Sequence, residues 1–130
     1  MSCLDTVQLD DEFGPFVAFQ EALGFIPNLL HAQALLPRAI EAQEKLESAI
    51  RLREGAIPRL QKERILLSIA ADRQDTYCIA VDSKVLSSLG FSADQIDDLL
   101  NNYYLADLSA RDLASLKFYL KLSHQAPSEP

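Results

Sequence analysis

The chain has 130 residues, of which 48% are hydrophobic, and this size and apolar content suit a single domain with one core. Nineteen acidic against twelve basic side chains give a formal net charge of −7, which repels the phosphates of nucleic acids and the headgroups of anionic lipids. We therefore expect no nucleic-acid partner and no membrane partner. No apolar run approaches about eighteen residues, and the N-terminus lacks the basic and apolar regions of a signal peptide, so we expect a cytoplasmic protein.

Apolar residues recur at helical spacing almost throughout the chain, and residues that start or stop helices separate the segments. A first helix is predicted over 11–23, with a break at Gly14-Pro15 and an end at Gly24. Asn28 is the predicted N-cap of a short helix over 29–36. Pro37 then begins a half-exposed helix that runs to about residue 54, where Gly55 is predicted to cap it.

The second half of the chain continues the same pattern. Pro58 is predicted to start a strongly apolar, central helix over 58–71, and Asp75 to cap a helix over 76–89. Ser92 and Gln95 form a capping box before a helix that reaches residue 104, and Ser109 begins the last helix. The prediction is an all-α bundle of about seven helices forming one domain over 1–124, followed by a polar, proline-containing tail or linker over 125–130.

Four residues in the central part of the chain form the most informative pattern. Glu63 lies on the predicted central helix, Asp75 follows twelve residues later, and Cys78 and Asp82 lie three and seven residues beyond Asp75. This spacing resembles the alkylhydroperoxidase D-like branch of the carboxymuconolactone decarboxylase family. Members of that family carry a glutamate, a C-x-x-C pair and a histidine at the corresponding places, which we call the four family positions.

Three connectors extend the resemblance over roughly residues 12–124. They are the sequences GFIPN at 24–28, LGFS at 89–92 and LSARD at 108–112. The resemblance implies an alkylhydroperoxidase D-like helical bundle in a shortened form, because peroxidase-related relatives tend to continue for further helices. It also implies a homo-oligomer, a trimer or a hexamer, built by helix packing.

The family's chemistry implies a thiol-dependent, peroxide-reducing antioxidant. In that scheme two cysteines cycle between dithiol and disulfide while the glutamate and the histidine move protons. Here Asp75 replaces one cysteine and Asp82 replaces the histidine, so no second cysteine lies one turn from Cys78, and Cys3 is remote in sequence. The helix N-terminus favours a thiolate at Cys78, but the flanking carboxylates disfavour a second anion. We therefore expect Cys78 to be a poor nucleophile.

Each of these residues also has a purely structural interpretation. Asp75 is a good N-cap, and Cys78 is a small side chain that packs well. Glu63 lies on an apolar stripe between Leu60 and Leu67, and Asp82 precedes apolar residues at helical spacing, so both carboxylates are predicted to face the interior. Partners for them are expected among the nearby cations, which are Lys62, Arg64 and Lys84.

Three hypotheses for the function stay open at this point. The first is a peroxidase-related enzyme in which Cys78 is oxidised to a sulfenic acid and an external thiol reductant restores it. The second is a non-enzymatic oligomeric scaffold of the same fold. The third is acid–base chemistry of the carboxymuconolactone decarboxylase type, carried by Glu63, Asp75 and Asp82. With two histidines, two cysteines and no C-x-x-C or H-x-x-x-H spacing, we expect no zinc site and no cofactor.

Overall fold

A computed structural model describes residues 8–10 and 12–125, and these residues form seven helices and no strand, which confirms the all-α prediction. The helices are α1 Gly14–Leu23, α2 Asn28–Ala32, α3 Pro37–Ile50, α4 Arg59–Asp72, α5 Thr76–Ser88, α6 Ala93–Asn101 and α7 Ala110–Gln125. Cys3, Asp11 and the predicted tail beyond residue 125 lie outside the described residues. Within the described part of the chain, no helix combines the length and the apolarity that a membrane span requires.

The chain divides into two compact units, one ending at Glu54 and the other beginning at Gly55. In the first unit α1 packs against α3. Its buried apolar side chains are Phe16, Phe19, Leu23, Leu30, Ala34 and Ile40. The assignment of residues 1–124 to one domain stays a prediction.

In the second unit α4 is the central helix, as its apolar sequence predicts, because it packs against α5, α6 and α7. The core of this unit is a cluster of five buried side chains, Leu67, Leu86, Ile96, Leu99 and Leu116. Only three residues connect α4 to α5, and these two helices pack against each other as expected for neighbours joined by a short loop.

Several predicted helix ends are confirmed by their hydrogen bonds. Asp75 caps α5, the Ser92–Gln95 capping box is complete, and the Ser109 hydroxyl accepts a hydrogen bond from the amide of Asp112. After α5, the amide of Gly90 bonds the carbonyl of Ser87 and the amide of Phe91 bonds the carbonyl of Leu86. This is a Schellman ending, and it requires the positive φ of 96° that Gly90 adopts without a side-chain clash.

Two helix starts in the first half of the chain were predicted wrongly. Gly14 and Pro15 begin α1 rather than interrupt it, since Phe13 is the N-cap. Asn28 is the first helical residue of α2 and its side chain makes no capping bond; Pro27, with an extended ψ of 139°, precedes the helix.

Three further helix boundaries differ from the prediction. The helix α3 ends at Ile50, where Ile50 is exposed and the amide of Leu52 reaches back to the carbonyl of Glu47, so Gly55 does not cap it. The helix α6 ends at Asn101, and Tyr103 and Tyr104 form a turn with stacked rings instead of continuing the helix. Pro58 is the N-cap of α4 rather than its first residue.

Candidate functional site

The start of α5 brings two of the four family positions into direct contact. The Asp75 carboxylate accepts a hydrogen bond from the backbone amide of Cys78 at 3.0 Å. Asp75 has the extended backbone of an N-cap, and Cys78 is the third residue of the helix, so this bond satisfies one of the free amides of the first turn. The capping role predicted for Asp75 is therefore present.

Hydrogen bonds from Cys78 also lower the pKa of the Asp75 carboxyl. Its pKa lies below the ordinary value, first because of the bond from the Cys78 amide and next because of a bond from the Cys78 side chain. A thiol donates such a bond only while it carries its proton, so the bond stabilises the thiol relative to the thiolate. Asp75 is thus an anion at neutral pH that contacts the half-buried Cys78.

Glu63 on α4 is fully buried, with 0% of its surface exposed. The Arg59 guanidinium Nε lies 3.7 Å from Glu63 Oε1, one turn earlier on the same helix. A buried carboxylate without a cation or hydrogen bonds would carry a large desolvation cost, and Arg59 offsets part of it. The interior position of Glu63 predicted from the apolar stripe is confirmed.

Asp82 on α5 is also buried, with 6% of its surface exposed, as its spacing relative to Val85 and Leu86 predicts. Glu63 and Asp82 lie on two helices, α4 and α5, that pack against each other. The convergence of Glu63, Cys78 and Asp82 at a common point stays a prediction.

Sequence reasoning missed the Arg59 partner of Glu63, although the i, i+4 spacing of the two residues is a detectable signal. Arg64, which was a predicted partner, instead pairs with Asp112 at 3.9 Å and lies over the Phe91 ring. Sequence reasoning also missed Gln61, which is buried on α4. Gln61 donates hydrogen bonds of 2.9 Å to the Asp112 carbonyl and the Ser115 hydroxyl on α7.

The cavities of the second unit include two that are lined by residues of α4 and α6. One of about 130 Å³ lies beside Arg64 and Phe91, and another of about 190 Å³ lies beside Ser68 and Asp72. Among the residues that line these two cavities, none belongs to the four family positions. Neither cavity therefore gives a substrate a route to Cys78.

Within residues 8–10 and 12–125, no group of three or more histidine, cysteine, aspartate or glutamate side chains has a geometry that would hold a metal ion. No family model, no curated protein and no solved structure matches this chain.

Proposed function

We propose that this chain is a peroxidase-related protein of the alkylhydroperoxidase D-like class that has lost the dithiol cycle and serves as a non-enzymatic, self-associating scaffold. The observation that carries the proposal is the contact between Asp75 and Cys78. The carboxylate occupies the place of the resolving cysteine and accepts hydrogen bonds from both the amide and the thiol of Cys78. A carboxylate cannot form a disulfide, and its charge opposes formation of a thiolate beside it.

Acid–base catalysis by the carboxylates is less well supported. Glu63 is fully buried and lies against Arg59, and Asp82 is buried as well. A general acid or base must reach the substrate directly or through one water molecule, and these positions give it no such access.

Turnover of an organic hydroperoxide in a dithiol-coupled assay tests this proposal. We expect the unmodified chain to be no faster than a Cys78→Ser variant. Asp75→Cys should raise Cys78-dependent turnover, because it restores a second sulfur at an exposed helix start where C-x-x-C pairs are reactive. Adding Asp82→His to Asp75→Cys would also restore the family's histidine. Position 82 is buried, however, and a histidine there could destabilise the fold, so the comparison uses Asp75→Cys alone. Robust, Cys78-dependent turnover by the unmodified chain, sustained by an external thiol reductant, would refute the proposal.

The scaffold role also requires self-association, and we propose a trimer or hexamer. Support comes from exposed apolar side chains of the second unit. Phe118 and Leu122 lie one turn apart on α7 with 58% and 46% of their surfaces exposed, and Tyr104 and Leu105 are exposed as well. Lys117, the residue before Phe118 on α7, lies over the Tyr104 ring at 4.7 Å, which places Tyr104 beside this part of α7.

A further inference from the structure

The outer face of α7 combines apolar and basic side chains. Ala114, Phe118 and Leu122 recur at intervals of four residues, so they form one row along the helix. Phe118 and Leu122 have 58% and 46% of their surfaces exposed. Lys117 and Lys121, which directly precede them, form a second exposed row beside the first. We call these five residues the α7 face.

The charge of the α7 face is opposite to that of the protein. The whole chain carries a formal net charge of −7, whereas α7 holds one acidic residue, Asp112, whose Oδ2 lies 3.9 Å from Arg64 Nη1. A surface that covers the α7 face must supply both apolar contact and negative charge. The α7 face of a second copy would supply lysines instead, and like charges held opposite each other repel. A contact between two α7 faces is therefore disfavoured.

The second unit also carries a surface with the complementary charge. Asp98, Leu105 and Asp107 all line the cavity of about 130 Å³ beside Arg64 and Phe91. Leu105 has 69% of its surface exposed, Asp107 is exposed and Asp98 is half-buried. Apolar surface and two carboxylates therefore meet at this cavity. We call Asp98, Leu105 and Asp107 the acidic surface.

Arg64 does not cancel the charge of the acidic surface. Its guanidinium lies over the Phe91 ring, 5.2 Å from the ring centroid, and 17% of its side chain is exposed. Because Asp112 already offsets this cation, the two carboxylates of the acidic surface leave the rim of the cavity negatively charged.

We propose that the α7 face of one copy docks on the acidic surface of a second copy. The lysines of the α7 face then meet Asp98 and Asp107, and its apolar row meets Leu105. This inference rests on the proposed self-association and names the two surfaces that carry it. A contact between unlike surfaces closes into a ring when the rotation from copy to copy allows it, which is compatible with a trimer or a hexamer.

Charge reversal of the full-length chain, followed by sedimentation velocity, tests the pairing. Lys117→Glu with Lys121→Glu should weaken self-association about tenfold or more, and so should Asp98→Lys with Asp107→Lys. A chain with all four substitutions should associate again, because it restores the opposite charges with their signs exchanged and keeps the parent's net charge. Circular dichroism checks that each variant is folded.

A control variant separates this pairing from a general effect of net charge. Arg38→Glu with Lys45→Glu changes two exposed cations of α3 and alters the net charge as much as the α7 variant does. We expect it to associate like the parent. The parent's own association should weaken when salt rises from about 0.05 M to about 0.5 M, because salt screens exposed charges.

The outcomes distinguish this inference from the proposed function. Suppose that the parent associates, but the α7 variant associates equally tightly, the folded fourfold variant stays a single chain, or salt strengthens the assembly. Each of these results would overturn the pairing and leave self-association standing. A parent that is a single chain at high micromolar concentration would overturn both, and would leave the α7 face to an acidic segment of another protein.

Discussion

The Asp75 carboxylate accepts a 3.0 Å hydrogen bond from the Cys78 amide at the start of α5. This bond places an anion beside Cys78, the one cysteine among the described residues. The same contact is a helix cap and a restraint on thiol chemistry. We therefore expect an anionic cap at this position to make the neighbouring sulfur less reactive as well.

Replacing the anion without losing the cap should make Cys78 more reactive. In a Cys3→Ser background, Asp75→Asn should raise the rate of Cys78 alkylation by iodoacetamide roughly two- to tenfold near neutral pH, because asparagine caps well but carries no charge. Asp94→Asn, in the first turn of α6, is the control and should leave the rate unchanged. A rate equal to that of the parent would mean that the carboxylate does not restrain the thiol.

The same cap makes a pH-dependent contribution to stability. The pKa of Asp75 is lowered in the folded chain, so the cap stabilises the fold above the ordinary aspartate pKa and loses that contribution as the pH falls through the lower folded value. We subtract the free energy of unfolding of Asp75→Asn from that of the parent. This difference should be constant above about pH 5 and should fall below about pH 4, because protonation removes the contribution of the carboxylate. Urea denaturation at a series of pH values measures it. A difference that is constant down to pH 2 would contradict the assignment.

Removing the cation beside the buried Glu63 should be costly. Arg59→Met should lower the free energy of unfolding by about 2–4 kcal/mol, because it leaves a buried carboxylate without this partner. The double variant Arg59→Met with Glu63→Leu should recover most of that loss, since an apolar pair carries no charge that must be removed from water.

The pair of Arg51 and Glu47 on α3 offers a control at the same spacing, because both of its side chains are partly exposed. Arg51→Met should cost less than about 1 kcal/mol. Similar losses from Arg51→Met and Arg59→Met in urea denaturation would show that burial does not distinguish the two pairs.

Self-association should depend on the exposed apolar surface that includes Phe118 and Leu122. Phe118→Glu should shift the sedimentation coefficient toward that of a single chain, because the new charge adds to an already acidic protein and interrupts the surface. Leu46→Glu, at an exposed position on α3, is the matched control and should leave the assembly intact. A parent chain that sediments as a monomer at high micromolar concentration would contradict the proposed trimer or hexamer.

The sequence by itself determined the helical class and most helix boundaries, because these depend on interactions between residues a few positions apart. The Asp75 cap, the Ser92–Gln95 box and the Gly90 ending are local, and each was predictable from spacing alone. The burial of Glu63 and Asp82 followed from helical periodicity in the same way.

Tertiary structure alone decided which side chains meet across helices and where helices stop. The helix α3 ends at Ile50, whose side chain is largely exposed, and Arg64 pairs with Asp112 because α7 brings that carboxylate near. The cavity at Ser68 likewise arises from residues of three helices that are distant in sequence. Spacing along one helix carries no information about such contacts, because they depend on how separate helices pack.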